Sequence, residues 1–526
     1  MTAGQWLPWA VVALLIVICT THGFAMVHGL AQPGDVDSLR DVGSIQGLLD
    51  GNWFGDPVYA QEWRWYPPLL PALGAIGAAA TGTSPLAFWV QSGPWLNLLT
   101  PLAFFLMARS LFGPPAGAAA TGIYVCVNSA LGPPWMTGGY TPWPLVPSIS
   151  QAFFFATVAL IRERVRSAMR PSDAALVGAV IGLTGLAHTV PAVILTAILT
   201  IAAFTILGVR ARTFGLLALV AAFELAFMAP YLVPVIAHYP GGIINDAPGA
   251  YIDPLFRRHD LSVQVLLYAP GLACLIIAWL LRRQVFPDRA TLVIVAAWIG
   301  VSGILLFRQL ACAKLGSGVA ACRLLSVPAH HYYFYLQTAW VCLAGQILWQ
   351  VVRRWIEISG RVSEPRAAAA LGMCAAVIGV GATALFHNAY DEIARGDALQ
   401  DGKIIDRAAY GWIRSNTQPI DLFVTPLAKA WGDPAAFSVI AAGRRLIAAP
   451  EWHSNPFVDW RERDALRWHY LAAATGMVPD HDLCGLAREH AWLLVPNATH
   501  VSTAKAKLAY RTEYSSLYHI TDADCE

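Results

Sequence analysis

The chain has 526 residues, 56% of them hydrophobic and only 13% charged, with mean hydropathy +0.51. A soluble globular protein carries about 25% charged residues, so a wholly soluble chain is excluded and a polytopic membrane protein is expected. A net charge of +2 gives no basis for nucleic-acid binding, and nine cysteines without a CxxC pair disfavour a zinc site.

The first apolar run, Leu7 to Met26, lacks a basic region before it and is long enough to cross a bilayer, so it reads as a retained anchor. The polar loop 31–68 follows. Residues 69–82 are apolar but short, and read as re-entrant or lying against the bundle. Further spans are expected near 85–108, 115–131, 144–161, 213–236, 261–281, 290–307, 332–352 and 367–386. The stretch 173–208 suits two short spans turning near His188 and Pro191, which brings the expected total to about eleven.

Four basic groups set the direction: Arg162 to Arg170, Arg210 with Arg212, Arg282 to Arg289, and Arg353 to Arg366. Placing all four in the cytoplasm leaves 31–68, 239–260, 309–331 and everything after 386 outside. From His387 the composition becomes that of a soluble protein. DGKIIDRAAYGWIRSN reads as an amphipathic helix with Ile405, Ala408, Ala409 and Trp412 on one face, and Arg461 to Ala474 as a second. DLFVTP, RLIAAP and AWLLVP read as short buried strands. The expected organisation is a polytopic α-helical membrane module over 1–386 and a small extracytoplasmic α/β domain over 387–526. Cys312 with Cys322 and Cys484 with Cys525 lie outside the apolar stretches, and either pair suits a disulfide in an oxidising compartment.

Of 33 Asp and Glu residues, 18 follow Phe386, and six of the other 15 lie between Asp35 and Glu62. Acids in a polar loop are usually just solvated, with aromatics such as Trp63, Trp65 and Tyr66 belting the interface. Here the rest of the membrane part avoids acids. Residues 38–50 carry apolar positions at helical spacing and suit a helix on the membrane surface. A carboxylate desolvated at such an interface gains basicity and suits a general base acting on an acceptor hydroxyl.

An acidic pair just after the first span, a further acid before Trp-Arg-Trp-Tyr-Pro-Pro-Leu, many spans and a soluble C-terminal domain resemble the GT-C glycosyltransferases. Motif agreement is confined to about residues 33–72. The resemblance implies inverting sugar transfer from a polyprenyl-phosphate donor to a glycan, lipid or protein hydroxyl at the outer face of the cell membrane. It makes Asp37, or Asp35, the catalytic base and Glu62 the second acid, the latter at a longer spacing from the Pro-Pro pair than in the aminoarabinose transferases. A WWD-type signature is absent, which disfavours transfer to asparagine.

A lipid phosphate needs cations at the outer interface. The loop after Phe307 offers Arg308, Lys314, Arg323, His330 and His331, and the preceding outer loop Arg257, Arg258 and His259. They serve equally as interface anchors. His188 and Glu224 are ionisable residues within apolar stretches. Gly443-Arg444-Arg445 and His453-Ser454-Asn455-Pro456 are candidate acceptor contacts, Arg444 and Asn455 above all. The acids could also hold a divalent metal, though no ligand pattern points to one. The rival readings are a flippase for lipid-linked sugars, which would need ionisable residues along the spans, and a non-catalytic assembly subunit.

Overall fold

The computed structural model describes residues 3–130, 137–245, 261–315, 329–359, 389–427 and 433–521. It divides into two compact units, one of Met1–His28, Ser92–Pro230 and Pro248–Glu392, the other of Gly29–Gln91, Tyr231–Ala247 and Ile393–Glu526. The loop 31–68 therefore groups with the C-terminal segment, whereas composition had suggested that it belonged with the membrane module.

The first unit is helical. Among the described helices, five are long and apolar enough to cross a membrane: Trp6–Val27 (within α1, Ala3–Val27), Pro85–Phe112, Thr189–Leu207, Ala211–His238 and Arg289–Cys312. Pro171–Ala187 and Tyr268–Leu280 are shorter apolar helices. The expected turn near His188 is present: one helix ends at Ala187, His188 is extended (φ −162°), and the next begins at Thr189. Pro191 sits in that helix's first turn, where its missing N–H has no intrahelical acceptor to lose. The expected span at 115–131 is irregular, with helix Pro114–Gly122 passing into a π-helical stretch at Ile123–Val127. The expected span 367–386 lies outside the described residues. Buried aromatics fill this core, with Phe104 stacked on Tyr124 at 4.4 Å and Phe154 against Tyr335 at 4.6 Å.

In the second unit, α2 (Val36–Leu49) is buried from Ser38 through Leu48. It packs against α3 (Leu69–Thr81) and the helix Pro434–Ala441. The expectation of a helix lying on the membrane surface is thus corrected. Its polar positions turn toward protein rather than water, and Gly43 allows the approach: a Cβ there would fall on the Ile440 carbonyl. The 13 residues of α3 span about 20 Å at 1.5 Å per residue, short of a hydrocarbon core of about 30 Å.

A five-stranded sheet in the order β2-β1-β3-β5-β4 forms the rest of this unit. Its strands are β1 (Leu422–Val424), β2 (Arg445–Leu446), β3 (Ala491–Pro496), β4 (Ala506–Arg511) and β5 (Ser515–Ile520). β1 runs parallel to β2 and β3, while β5 is antiparallel to β3 and β4. The three expected strands are all present, and the β4–β5 hairpin adds to them. Beyond the edge strand β2, Tyr59 of the first loop bridges to Leu446, and the Leu446 amide donates to the Val58 carbonyl at 2.8 Å. The first expected helix of the C-terminal segment starts only at Arg407, because the Asp406 side chain caps it through the Ala409 amide; the second spans Trp460–Ala474. Cys312 and Cys484 are each disulfide-bonded; Cys322 and Cys525, their expected partners, lie outside the described residues.

Candidate active site

The acidic pair sits at the start of α2. Asp35 is its N-cap and accepts from the Ser38 amide at 3.0 Å, the usual role of an Asp before a helix. Asp37 lies one residue inside, where the helix dipole favours negative charge. Its side chain is 46% exposed, and two donors converge on Oδ1: Arg40 Nη1 at 3.2 Å and His453 Nε2 at 3.2 Å. His453 is 2% exposed and its ring meets Phe437 edge-on at 5.1 Å.

Behind this pair is a buried layer that the sequence reading passed over. Arg40 also reaches Asp41 Oδ1 at 3.2 Å and lies 4.2 Å over the Tyr66 ring. Burial alone would depress the Arg40 guanidinium, but Tyr66, Asp41 and Asp37 overturn that and hold it charged. Burial pushes the Asp41 carboxyl up to about 7, with Arg40 pulling the other way and Asp37 adding repulsion. The available signal was spacing: Arg40 and Asp41 follow Asp37 by three and four residues, so all share one helix face.

Glu62 is not part of this group. Arg463 Nη2 bonds its Oε1 at 2.5 Å, and the Tyr239 hydroxyl donates to its Oε2 at 3.1 Å. Asp56 is fully buried and accepts from the Val58 and Tyr59 amides at 2.8 and 3.1 Å and from Asn455 Nδ2 at 2.9 Å. Burial pushes Asp56 up to about 6 despite those donors. Asn455, fully buried, also contacts the Tyr239 hydroxyl at 3.0 Å. Arg444 is 3% exposed and bonds Asp50 Oδ2, Thr417 Oγ1 and the Ala442 and Thr417 carbonyls at 2.8 to 3.0 Å. These two residues, expected at an acceptor surface, instead hold the first loop to the C-terminal segment inside this unit.

The cations expected to meet the donor phosphate belong to the first unit. Arg308 is half-buried on helix Arg289–Leu315 and interacts electrostatically with the Tyr332 phenol. The backbone of Lys314 lies near the end of that helix. The Lys314 side chain, Arg323, Arg257, Arg258 and His259 lie outside the described residues. His330 and His331 open the helix Ala329–Ser359 with ring centroids 4.4 Å apart, and His331 stacks on His188 at 4.9 Å and 13°. The three imidazoles therefore form one column, joining two features that the sequence presented separately. Glu224 accepts from Thr196 Oγ1 at 2.9 Å. Among the described residues no group of three His, Cys, Asp or Glu side chains is placed to hold a metal ion.

No protein-family model and no curated protein matches this sequence. Solved structures do. The chain is similar to ArnT from Cupriavidus metallidurans bound to undecaprenyl phosphate, at 12% identity and TM-score 0.57, over 97% of each chain. It is also similar to the Archaeoglobus fulgidus oligosaccharyltransferase tethered with an acceptor peptide, at 13% identity and TM-score 0.53, over 86% of this chain and 64% of that one. A third is the arabinofuranosyltransferase AftD from Mycobacteria, at 13% identity and TM-score 0.54, over 97% of this chain and 41% of that one. This chain thus spans less than two thirds of the length of the latter two. At these identities the likeness shows the fold alone, and this chain shares that fold with all three structures.

Proposed function

We propose that this chain is an inverting glycosyltransferase that moves a sugar from a polyprenyl phosphate to a hydroxyl acceptor. The observation that carries the reading is Asp37: an accessible carboxylate fixed in the first turn of α2 by two donors on one oxygen. Asp37 takes the proton of the acceptor hydroxyl, whose oxygen attacks the anomeric carbon as the bond from that carbon to the phosphate oxygen breaks. The lipid phosphate leaves with the electron pair. Arg308, Lys314, Arg323, His330 and His331 are proposed to neutralise it, as charge-assisted hydrogen bonds do for developing anions. Asp35 keeps the helix start in place, and Glu62 braces the loop.

The donor class is supported by the undecaprenyl phosphate bound in ArnT. The acceptor is proposed to be a glycan, lipid or protein hydroxyl. The reading includes about eleven membrane crossings and an extracytoplasmic C-terminal segment, to which the disulfide-bonded Cys484 lends support.

Membranes carrying the chain are to be given radiolabelled polyprenyl-phosphate pentoses and hexoses one at a time. One of them is expected to lose its label to an acceptor. Replacing Arg308 by Ala is expected to weaken use of that donor about 10- to 100-fold, the scale of one hydrogen bond to a charged group. No transfer from any donor would reject the reading.

A further inference from the structure

The contact between His453 and Asp37 joins residues 416 positions apart, and the transfer step above gives the imidazole no task of its own. We propose that His453 is a positioning residue that sets the orientation of the Asp37 carboxylate. The inference rests on the reading of Asp37 as the base.

The imidazole is held from both sides in sequence. Its own amide donates to the Pro450 carbonyl at 2.8 Å, in a short turn over Glu451–His453 that follows β2. Two residues on, Asn455 is tied to the buried Asp56 at 2.9 Å. The ring rests edge-on against Phe437, itself fully buried on helix Pro434–Ala441. A ring so confined cannot follow a moving partner, so the partner conforms to the ring.

An Asp carboxylate that is 46% exposed has several staggered rotamers open to it, and each partner that holds it narrows the choice. Arg40 does not remove that freedom alone, because its guanidinium is shared with Asp41 and rides on the same helix as Asp37. His453 supplies a donor from a separate element, and with hydrogen on Nε2 it donates to the same oxygen that Arg40 bonds. Two donors from different directions on Oδ1 define the plane of the carboxylate. A base oriented in this way presents its lone pair to the acceptor hydroxyl without a search, which in-line displacement demands. Through this one imidazole the C-terminal segment governs the base.

The test uses the full-length chain in detergent or membranes and whichever polyprenyl-phosphate pentose or hexose the wild type uses. His453→Leu removes the donor while keeping an apolar side chain against Phe437, and His453→Gln restores an N–H at similar reach. For His453→Leu, kcat is expected to fall by about 10²-fold, the scale of a misoriented catalytic group, with the donor KM within about threefold of wild type. His453→Gln is expected to recover most of the loss at unchanged Tm. If His453→Leu keeps wild-type kcat, the inference is overturned. If both variants lose activity equally together with Tm, the ring serves packing and the inference is again overturned. Asp37→Asn run alongside separates the two ideas: wild-type kcat there removes the base itself, whereas loss there with a silent His453→Leu removes only the positioning role.

Discussion

Asn455 donates to Asp56 at 2.9 Å, and both side chains are fully buried. This pair, with Tyr239 and Arg463, fixes the loop that follows α2 to the C-terminal segment. A surface role for Asn455 would leave Asp56 buried with one donor fewer.

Asp56 makes stability depend on pH in an uncommon direction. Its carboxyl is raised by burial to about 6, above the unfolded value of about 4. Between those values the folded chain binds more protons than the unfolded one, so stability falls as pH rises from about 4 to about 6 and then levels. Asp41, raised to about 7, adds in the same sense and extends the decline. Asp56→Asn is expected to lower Tm overall, because two amides then face each other at a cost of about 1–3 kcal/mol. It is also expected to reduce the fall in Tm between about pH 5 and 7. Thermal unfolding in detergent at both pH values reads this out; an unchanged pH dependence would rule out Asp56 as its source.

Arg444 is expected to behave as a structural residue. Its guanidinium pairs with Asp50 at 2.9 Å from a buried position. Removing one partner of a buried pair costs about 3–5 kcal/mol, and the lower end applies because Asp50 keeps 20% exposure. Arg444→Met should therefore lower Tm clearly, with Asp50→Asn in that background restoring part of it. A raised acceptor KM at unchanged Tm would instead favour the acceptor role expected from the sequence.

How much of this could be read along the chain depends on the range of each interaction. The apolar helices announce themselves by composition over 17 to 25 residues, and the break at His188 by a nearby proline. β1 and β3 are short apolar runs ended by Pro426 and Pro496. β4 and β5 are not, since AKLAYR and SSLYHI become strands by pairing with each other and with β3. The helix Val36–Leu49 was legible as a helix, but its neighbours were not, because it is covered both by the nearby Tyr66 and Leu69–Thr81 and by the helix Pro434–Ala441, far along the chain. The same distance hides His453 from Asp37 and turns the polar string around Arg444 into an interior contact. The GT-C resemblance was carried by one loop, whereas the likeness of fold to a solved structure covers nearly the whole chain.

The proposed orientation has its own test. Met477 is 69% exposed in the C-terminal segment, and Ser167 is exposed beside the first basic group. A cysteine replacing Met477 should react with a membrane-impermeant thiol reagent applied to intact cells, and one replacing Ser167 should not. The reverse pattern would contradict both the topology and the placement of Asp37 at the outer face.

The central claim is that Asp37 is the base, and one substitution addresses it most directly. Asp37→Asn keeps the size of the side chain and an oxygen for Arg40 and His453 while removing basicity. Asp35→Asn serves as its companion, since Asn caps a helix about as well as Asp and should leave α2 intact. The measurement is the rate of sugar transfer from the polyprenyl-phosphate donor used by the wild type, alongside donor binding and Tm. Asp37→Asn is expected to keep binding and Tm and to lower transfer by about 10²-fold or more, the scale of general-base loss, with Asp35→Asn the milder of the two. Near-normal transfer by the Asp35→Asn, Asp37→Asn double variant would contradict the account.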